Sequence, residues 1–233
     1  MAFDWTKKRI EWFLDASRYG NFYEQLAKII TPFLYTTDTV VDLGCGLGRL
    51  DLQIASSVSH ITSVDINADV LGILQEDARK KGIKNLSVQC CDAQSIQEKF
   101  DVVLMTFFGY PPSLMLNCMA LAKKITIRVV HAGDNTSALR AKKWKKSKET
   151  IKDISSVLEK EGLKYQLVRD SFEFGQPLRS KSEGLDFIRC NSPEMPENKL
   201  REFVEANLET TGNAEFPFYL PAHKDLGIFV IFR

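Results

Sequence analysis

Apolar residues in this chain keep two rhythms. Short β-branched or apolar runs, each closed by turn residues, occupy residues 39–43, 61–64, 85–90, 100–106 and 124–130, and the pattern returns at 163–174 and 227–232. Between the runs, apolar positions fall three and four apart, the spacing of a single helix face. Ile10, Phe13, Leu14 and Ser17 mark a helix over residues 3–18 with a basic cluster opposite, ended by Tyr19-Gly20-Asn21. Asn21 followed by Glu24 reads as a capped start for a second helix over 22–30, which Pro32 terminates. Asn67 is an N-cap for a helix whose buried face is Val70, Leu71, Leu74 and Ala78; Lys80 and Lys81 complement its C-terminal dipole and Gly82 ends it. Further helices are expected over 49–57 and 113–121, and Trp144, Ile151, Ile154 and Leu158 line one face of another. Strands alternating with helices predict a parallel sheet covered on both faces.

The last quarter of the chain departs from that alternation. Gly175-Gln176-Pro177-Leu178 leads into helical patterns over 182–189 and 197–209, then Phe216-Pro217-Phe218-Tyr219-Leu220-Pro221 precedes the last apolar run. Roughly fifty residues is long for a link between two strands, and long insertions tend to be functional. No internal repeat, low-complexity tract or linker interrupts the chain.

Composition narrows the classes. The chain has 233 residues, 44% apolar and 26% charged, as a globular domain with a small appendage does. Its 31 basic and 30 acidic residues give a net charge of +1, so no overall field draws it to nucleic acid or an anionic membrane. The six basic residues among 140–148 spread around a helix instead of forming a stripe, which suits a solvated face better than an RNA-binding patch. No apolar run is long enough to span a bilayer, and the N-terminal residues lack a signal-peptide core. The five cysteines show no paired metal spacing, so reduced thiols in the cytoplasm are expected and no metal site.

The densest chemistry sits at Asp42-Leu43-Gly44-Cys45-Gly46-Leu47-Gly48-Arg49, where a buried strand feeds a glycine-rich turn and a helix. A dinucleotide fingerprint places its third glycine where this chain has Arg49, and Gly48 comes one place early. Asp42 at the mouth of the loop disfavours a pyrophosphate and suits an ammonium or sulfonium. Asp65 closes the next strand about twenty residues on, where a carboxylate bonds a ribose diol.

These residues resemble motif I and the acidic residue of the class I S-adenosylmethionine-dependent methyltransferases, a likeness covering residues 38–131. The resemblance implies an α/β fold: a doubly wound, seven-stranded, mostly parallel sheet with an antiparallel last strand, N-terminal helices and a small helical lid inserted before that strand. It divides a single domain into a helical cap (1–34), a Rossmann-like core (38–174 and 225–233) and the lid (175–224). The cofactor implied is S-adenosyl-L-methionine, with S-adenosyl-L-homocysteine as product. Gly44, Cys45, Gly46 and Gly48 would face its methionine part with Asp42 nearby, Asp65 would hold the ribose, and Ile66 would pack on the adenine. Asp92 with Ala93 would read the adenine edge, while Thr106 and Phe107 would line the transfer chamber.

The acceptor is less legible. Relatives that methylate planar amide or ring nitrogens often carry Asp/Asn-Pro-Pro-aromatic after the fourth strand. This chain has Thr106-Phe107-Phe108-Gly109-Tyr110-Pro111-Pro112 instead, which speaks against that chemistry. His131, at the end of the fifth strand, and Tyr110 are the candidate catalytic residues. Tyr19, Tyr23, Phe108, Gln176, Arg179, Phe187 and Tyr219 are candidates for substrate contact. A small-molecule acceptor is the first reading, for a monomer or homodimer. RNA or protein methylation, a non-catalytic S-adenosylmethionine-binding subunit and a nicotinamide dehydrogenase are the alternatives, the misplaced glycine and Asp42 counting against the last.

Overall fold

In the computed structural model, which describes residues 3–109, 111–133 and 149–233, the first five apolar runs become β1 (Thr39–Leu43), β2 (His60–Asp65), β3 (Leu86–Cys90), β4 (Phe100–Thr106) and β5 (Ala122–His131). Their neighbouring pairs are all parallel. With β6 (Tyr165–Glu173) and β10 (His223–Phe232) they form a seven-stranded sheet in the order β3-β2-β1-β4-β5-β10-β6, β10 running antiparallel to β5. The order reverses between β1 and β4, so a crevice opens beyond their carboxyl ends. The central strands are covered on both faces: Val41, Leu43, Val103 and Met105 are all buried in one core with Phe229 and Ile231.

The helices follow their caps. In α4 (Ala68–Lys80) the Asn67 side chain accepts from the amides of Asp69 and Val70, and Val70, Leu71, Leu74 and Ala78 are buried. α5 (Pro112–Met119) starts on a proline, whose missing N–H costs nothing there, and α6 (Ile151–Lys160) opens with a Thr150/Asp153 capping box. α2 spans Phe22–Ile30. The helix expected over 49–57 is shorter: α3 is only Asp51–Ile54, followed by a 3-10 turn to Ser57. The Arg49 side chain ahead of it is turned back to the Leu47 carbonyl and to Asp77 on α4.

Two compact units can be distinguished. One comprises Tyr23–Ala132, Glu149–Asp170 and Leu226–Arg233 and holds β1–β5. The other comprises Met1–Phe22, Gly133–Lys148 and Ser171–Asp225. Within it, α1 (Lys7–Tyr19), α7 (Lys181–Asn191) and α8 (Glu197–Asn207) accompany a small antiparallel sheet of β7 (Gln176–Leu178), β9 (Phe218–Leu220) and β8 (Glu209–Thr210). Leu178, Ile188, Leu200, Val204 and Leu220 form its core. Strands of two or three residues are too short for alternation to register, which is why the sequence shows only the helices of this insertion. Among the described residues, no helix is long and apolar enough to cross a membrane, and no cluster of His, Cys, Asp or Glu could hold a metal ion.

Candidate active site

The glycine loop is fastened to β2. The Gly44 and Cys45 amides donate to the Val64 carbonyl at 2.8 and 3.0 Å, and the Gly48 amide donates to the Cys45 carbonyl at 2.9 Å. These bonds need left-handed backbone at Gly44 (φ 73°) and Gly48 (φ 57°). A Cβ at Gly44 would lie 2.3 Å from the Phe108 ring, and one at Gly48 would lie 2.4 Å from Leu74 of α4. With those amides used inside the loop, what it can offer a ligand is bare Cα and carbonyl surface.

Asp65 ties the loop to the next turn. One carboxylate oxygen accepts from the Gly46 amide and the other from the Asn67 amide, both at 2.9 Å. Each oxygen keeps a lone pair for a further donor. Beside it, Ile66 is 57% exposed, an apolar face standing in the open at the carboxyl end of β2. Asp92 accepts from the Gln94 amide at 2.8 Å and so caps the short 3-10 turn at Ala93–Ser95.

Under the loop lies a second acidic group. Asp42, 2% exposed, and Asp51, 0% exposed, lie side by side, and the Ser63 hydroxyl donates to Asp51 at 2.5 Å. Burial, the Asp51 carboxyl and Asp65 hold Asp42 well above the usual carboxylate range; burial also raises Asp51, opposed by its bonds to Ser63 and Asp42. The same surroundings push the Cys45 thiol up, and burial raises the Tyr23 phenol, which feels Arg49 and Asp42. Among the described residues, the buried oxygens without a partner include Asp42 Oδ1, Asp51 Oδ1 and Thr106 Oγ1.

At the carboxyl ends of β4 and β5 the chain is strained. Phe107 has φ 56°, is 39% exposed and stacks on His131 with ring centroids 4.6 Å apart. Arg128, 1% exposed, holds this corner: its guanidinium donates to the Phe108 carbonyl and pairs with Glu149. Burial pushes Arg128 down to about 10, which leaves it charged near neutrality. Tyr110 lies outside the described residues, as do Asp134 and the 140–148 stretch with Trp144.

A family model described as "Methyltransferase domain" matches residues 36–181. The chain belongs to that family. That family is the class I S-adenosylmethionine-dependent methyltransferases, with a Rossmann-like fold and S-adenosyl-L-methionine as the family's cofactor. Over 82 residues this methyltransferase is 37% identical to the Haemophilus influenzae protein described as "Probable S-adenosyl-L-methionine-dependent methyltransferase TehB", covering 34% of the chain and 27% of that relative. Over 91 residues it is 28% identical to a ubiquinone biosynthesis O-methyltransferase of Coxiella burnetii, covering 36% and 38%. The matched stretches therefore span well under half the length of these curated relatives. Among solved structures it resembles YcgJ of Bacillus subtilis (TM-score 0.60, 13% identity, 90% of this chain and 98% of the other). It also resembles magnesium protoporphyrin IX methyltransferase of Synechocystis, solved with bound S-adenosylhomocysteine (TM-score 0.56, 17% identity, 76% and 86%). At such identities the likeness is one of fold.

The methyltransferase's own residues fit the cofactor. Asp42 Oδ1 and Asp51 Oδ1 have no partner among the described residues, and an ammonium supplies the donor that such carboxyl oxygens call for. Asp65→Ala is expected to weaken S-adenosylmethionine binding by about 1–3 kcal/mol, because it strands the Gly46 amide as well as any ribose hydroxyl. Titration calorimetry reads this directly, and an unchanged affinity would remove Asp65 from the cofactor site.

The expected substrate contacts separate. Tyr23 and Phe108 belong to the unit that carries the glycine loop, whereas Tyr19, Gln176, Arg179, Phe187 and Tyr219 belong to the other. There Tyr19 stacks on Tyr219 at 5.2 Å, and the Tyr219 hydroxyl accepts from the Gly175 amide at 3.1 Å. Arg179 lies over Phe216 at 4.7 Å and pairs with buried Asp15 at 2.6 Å. Gln176 is buried and donates to the Trp12 and Pro177 carbonyls, and Phe187 packs edge-on against Trp12. Asp51, Ser63, Arg49 and Glu149 escaped the sequence reading. No local pattern marks them, since each acquires its partner only when distant segments meet.

Proposed function

We propose that this methyltransferase acts on a small-molecule acceptor. The observation that carries the reading is the Phe107–His131 pair: an exposed aromatic face, held in a strained backbone conformation, stacked on an imidazole at the carboxyl ends of β4 and β5. Such a face suits a planar acceptor, and the imidazole is the kind of group that takes a proton near neutral pH. A net charge of +1 gives no general attraction to RNA, and one relative is named as an O-methyltransferase of ubiquinone biosynthesis.

The cofactor when bound supplies an electrophilic sulfonium methyl, so the chain's task is binding, alignment and proton handling. Asp65 would hold the ribose, Ile66 would cover the adenine and Asp92 with Ala93 would face its edge. Asp42 would meet the ammonium beside Gly44, Cys45 and Gly46, with Gly48 keeping the loop against α4. Thr106 and Phe107 would line the transfer chamber. Neutral His131 would accept the proton that the acceptor loses.

Incubating the protein with methyl-labelled S-adenosylmethionine and, separately, metabolite, RNA and protein fractions tests this. Label is expected in the metabolite fraction; label only in RNA or protein would overturn the reading. His131→Ala is expected to slow that transfer by about 10²–10⁴-fold with cofactor affinity unchanged, as for loss of a general base.

A further inference from the structure

Three carboxyls crowd the glycine loop, and the family motif accounts for only two, Asp42 and Asp65. The third, Asp51, opens α3 and is fully buried. β1 and β2 pair in register with Asp42 opposite Ser63, so both side chains leave the same face of the sheet. The Ser63 hydroxyl donates to Asp51 at 2.5 Å, which brings Asp51 beside Asp42 on that face in a buried row Ser63–Asp51–Asp42.

The chemistry of that row is constrained. Ionised carboxylates only accept hydrogen bonds, so a bond between two carboxyls requires a proton on one of them. Two buried carboxylates side by side also cannot both ionise without a compensating cation. Yet Asp42 Oδ1 and Asp51 Oδ1 each lack a partner, as Thr106 Oγ1 does. With both carboxyls ionised the row would carry two negative charges in a buried site and too few donors for its oxygens, so the free protein keeps a proton there. An ammonium mends both defects, because it donates to the orphaned oxygens and its charge takes the proton's place.

We infer that Asp51 is a positioning residue for the cofactor, sharing one proton with Asp42 until the cofactor's ammonium arrives and displaces it to solvent. Binding is then linked to pH. The pair is protonated in the free protein and ionised in the complex, so affinity rises with pH through the window above the usual carboxylate range. It flattens once the free pair has lost its proton. The other groups facing the pair are Asp65, the Cys45 thiol, the Tyr23 phenol and Arg49. Burial keeps the thiol and the phenol protonated, and Arg49 is turned to Asp77 at 2.5 Å. The inference rests on the cofactor assignment above.

The test is titration calorimetry of the whole chain in two buffers of different ionisation enthalpy. It is run near pH 6, below the roughly 7.7–8.0 at which a free α-amino group titrates. S-adenosylmethionine and S-adenosylhomocysteine are each expected to release about one proton on binding. 5′-Methylthioadenosine, which keeps the nucleoside and thioether but has no ammonium, is expected to release none. Asp51→Asn should abolish the release and flatten the pH dependence, since an amide donates to Asp42 permanently. Binding of S-adenosylmethionine without proton release, equal release by methylthioadenosine, or undiminished release in Asp51→Asn would each overturn the inference. The two ligand arms on the natural chain decide it even where that variant fails to fold. Absence of any S-adenosylmethionine binding would overturn the cofactor assignment along with it.

Discussion

Glu149→Ala is expected to destabilise the protein by about 3–5 kcal/mol, the cost of leaving a buried charge without its partner. Arg128 is 1% exposed and the Glu149 side chain only 9%. Arg128 Nε and Glu149 Oε1 have no partner among the described residues. Arg128 also fixes the Phe108 carbonyl, and at Gly109 (φ 104°) a Cβ would lie 2.3 Å from its guanidinium. Losing Glu149 should therefore loosen the Phe107–Phe108 corner as well as lower the urea midpoint. Arg128→Met combined with Glu149→Leu should recover most of the loss, because an apolar pair of similar volume carries no desolvation penalty. A single-variant loss below about 1 kcal/mol, the range of a surface ion pair, would show that the charge is not sequestered.

Gly44→Ala should be nearly as damaging and should strike the cofactor too. Two costs combine: a left-handed φ of 73°, worth about 1–2 kcal/mol for a residue with a Cβ, and a methyl placed 2.3 Å from the Phe108 ring, worth about 1–3 kcal/mol as overpacking. Gly82→Ala is the control. Its φ of 69° is similar, but nothing lies within 4 Å of the added Cβ, so it should show only the first cost. Chemical denaturation of the two variants isolates the Phe108 contact as their difference. Calorimetry should show S-adenosylmethionine binding sharply weakened in Gly44→Ala and unchanged in Gly82→Ala; equal effects in the two would remove the glycine loop from the cofactor site.

Local rules carry far in this chain where an element is long or capped. β1 and β4 fall on residues 39–43 and 100–106 as their apolar runs indicate, and Asn67 caps α4 with two amides. The same rules lengthen α3, which is a single turn from Asp51 to Ile54 continued as a 3-10 turn to Ser57. They also pass over β7, β8 and β9, whose few residues pair only because α1, α7 and α8 close over the unit's own core. The candidate site divides along the same line. Asp42, the three glycines and Asp65 are adjacent or strand-spaced, so their convergence follows from one β-loop-α unit and the strand beside it. Asp92 is visible as a residue, but only the structure shows it spending one oxygen on the Gln94 amide.

The sequence by itself determined the alternation of strands and helices, since period, caps and the glycine loop act over a few residues. The sheet's order and the cofactor were legible only through the family resemblance those residues carry. Only the tertiary structure decided that Asp51 meets Asp42 and Ser63, that Arg128 is sealed against Glu149, and that Phe107 is forced to positive φ beside His131. Each of these is a polar or strained arrangement whose cost in isolation is offset by packing from segments far along the chain. Such compensation leaves no periodic trace in the residues that need it.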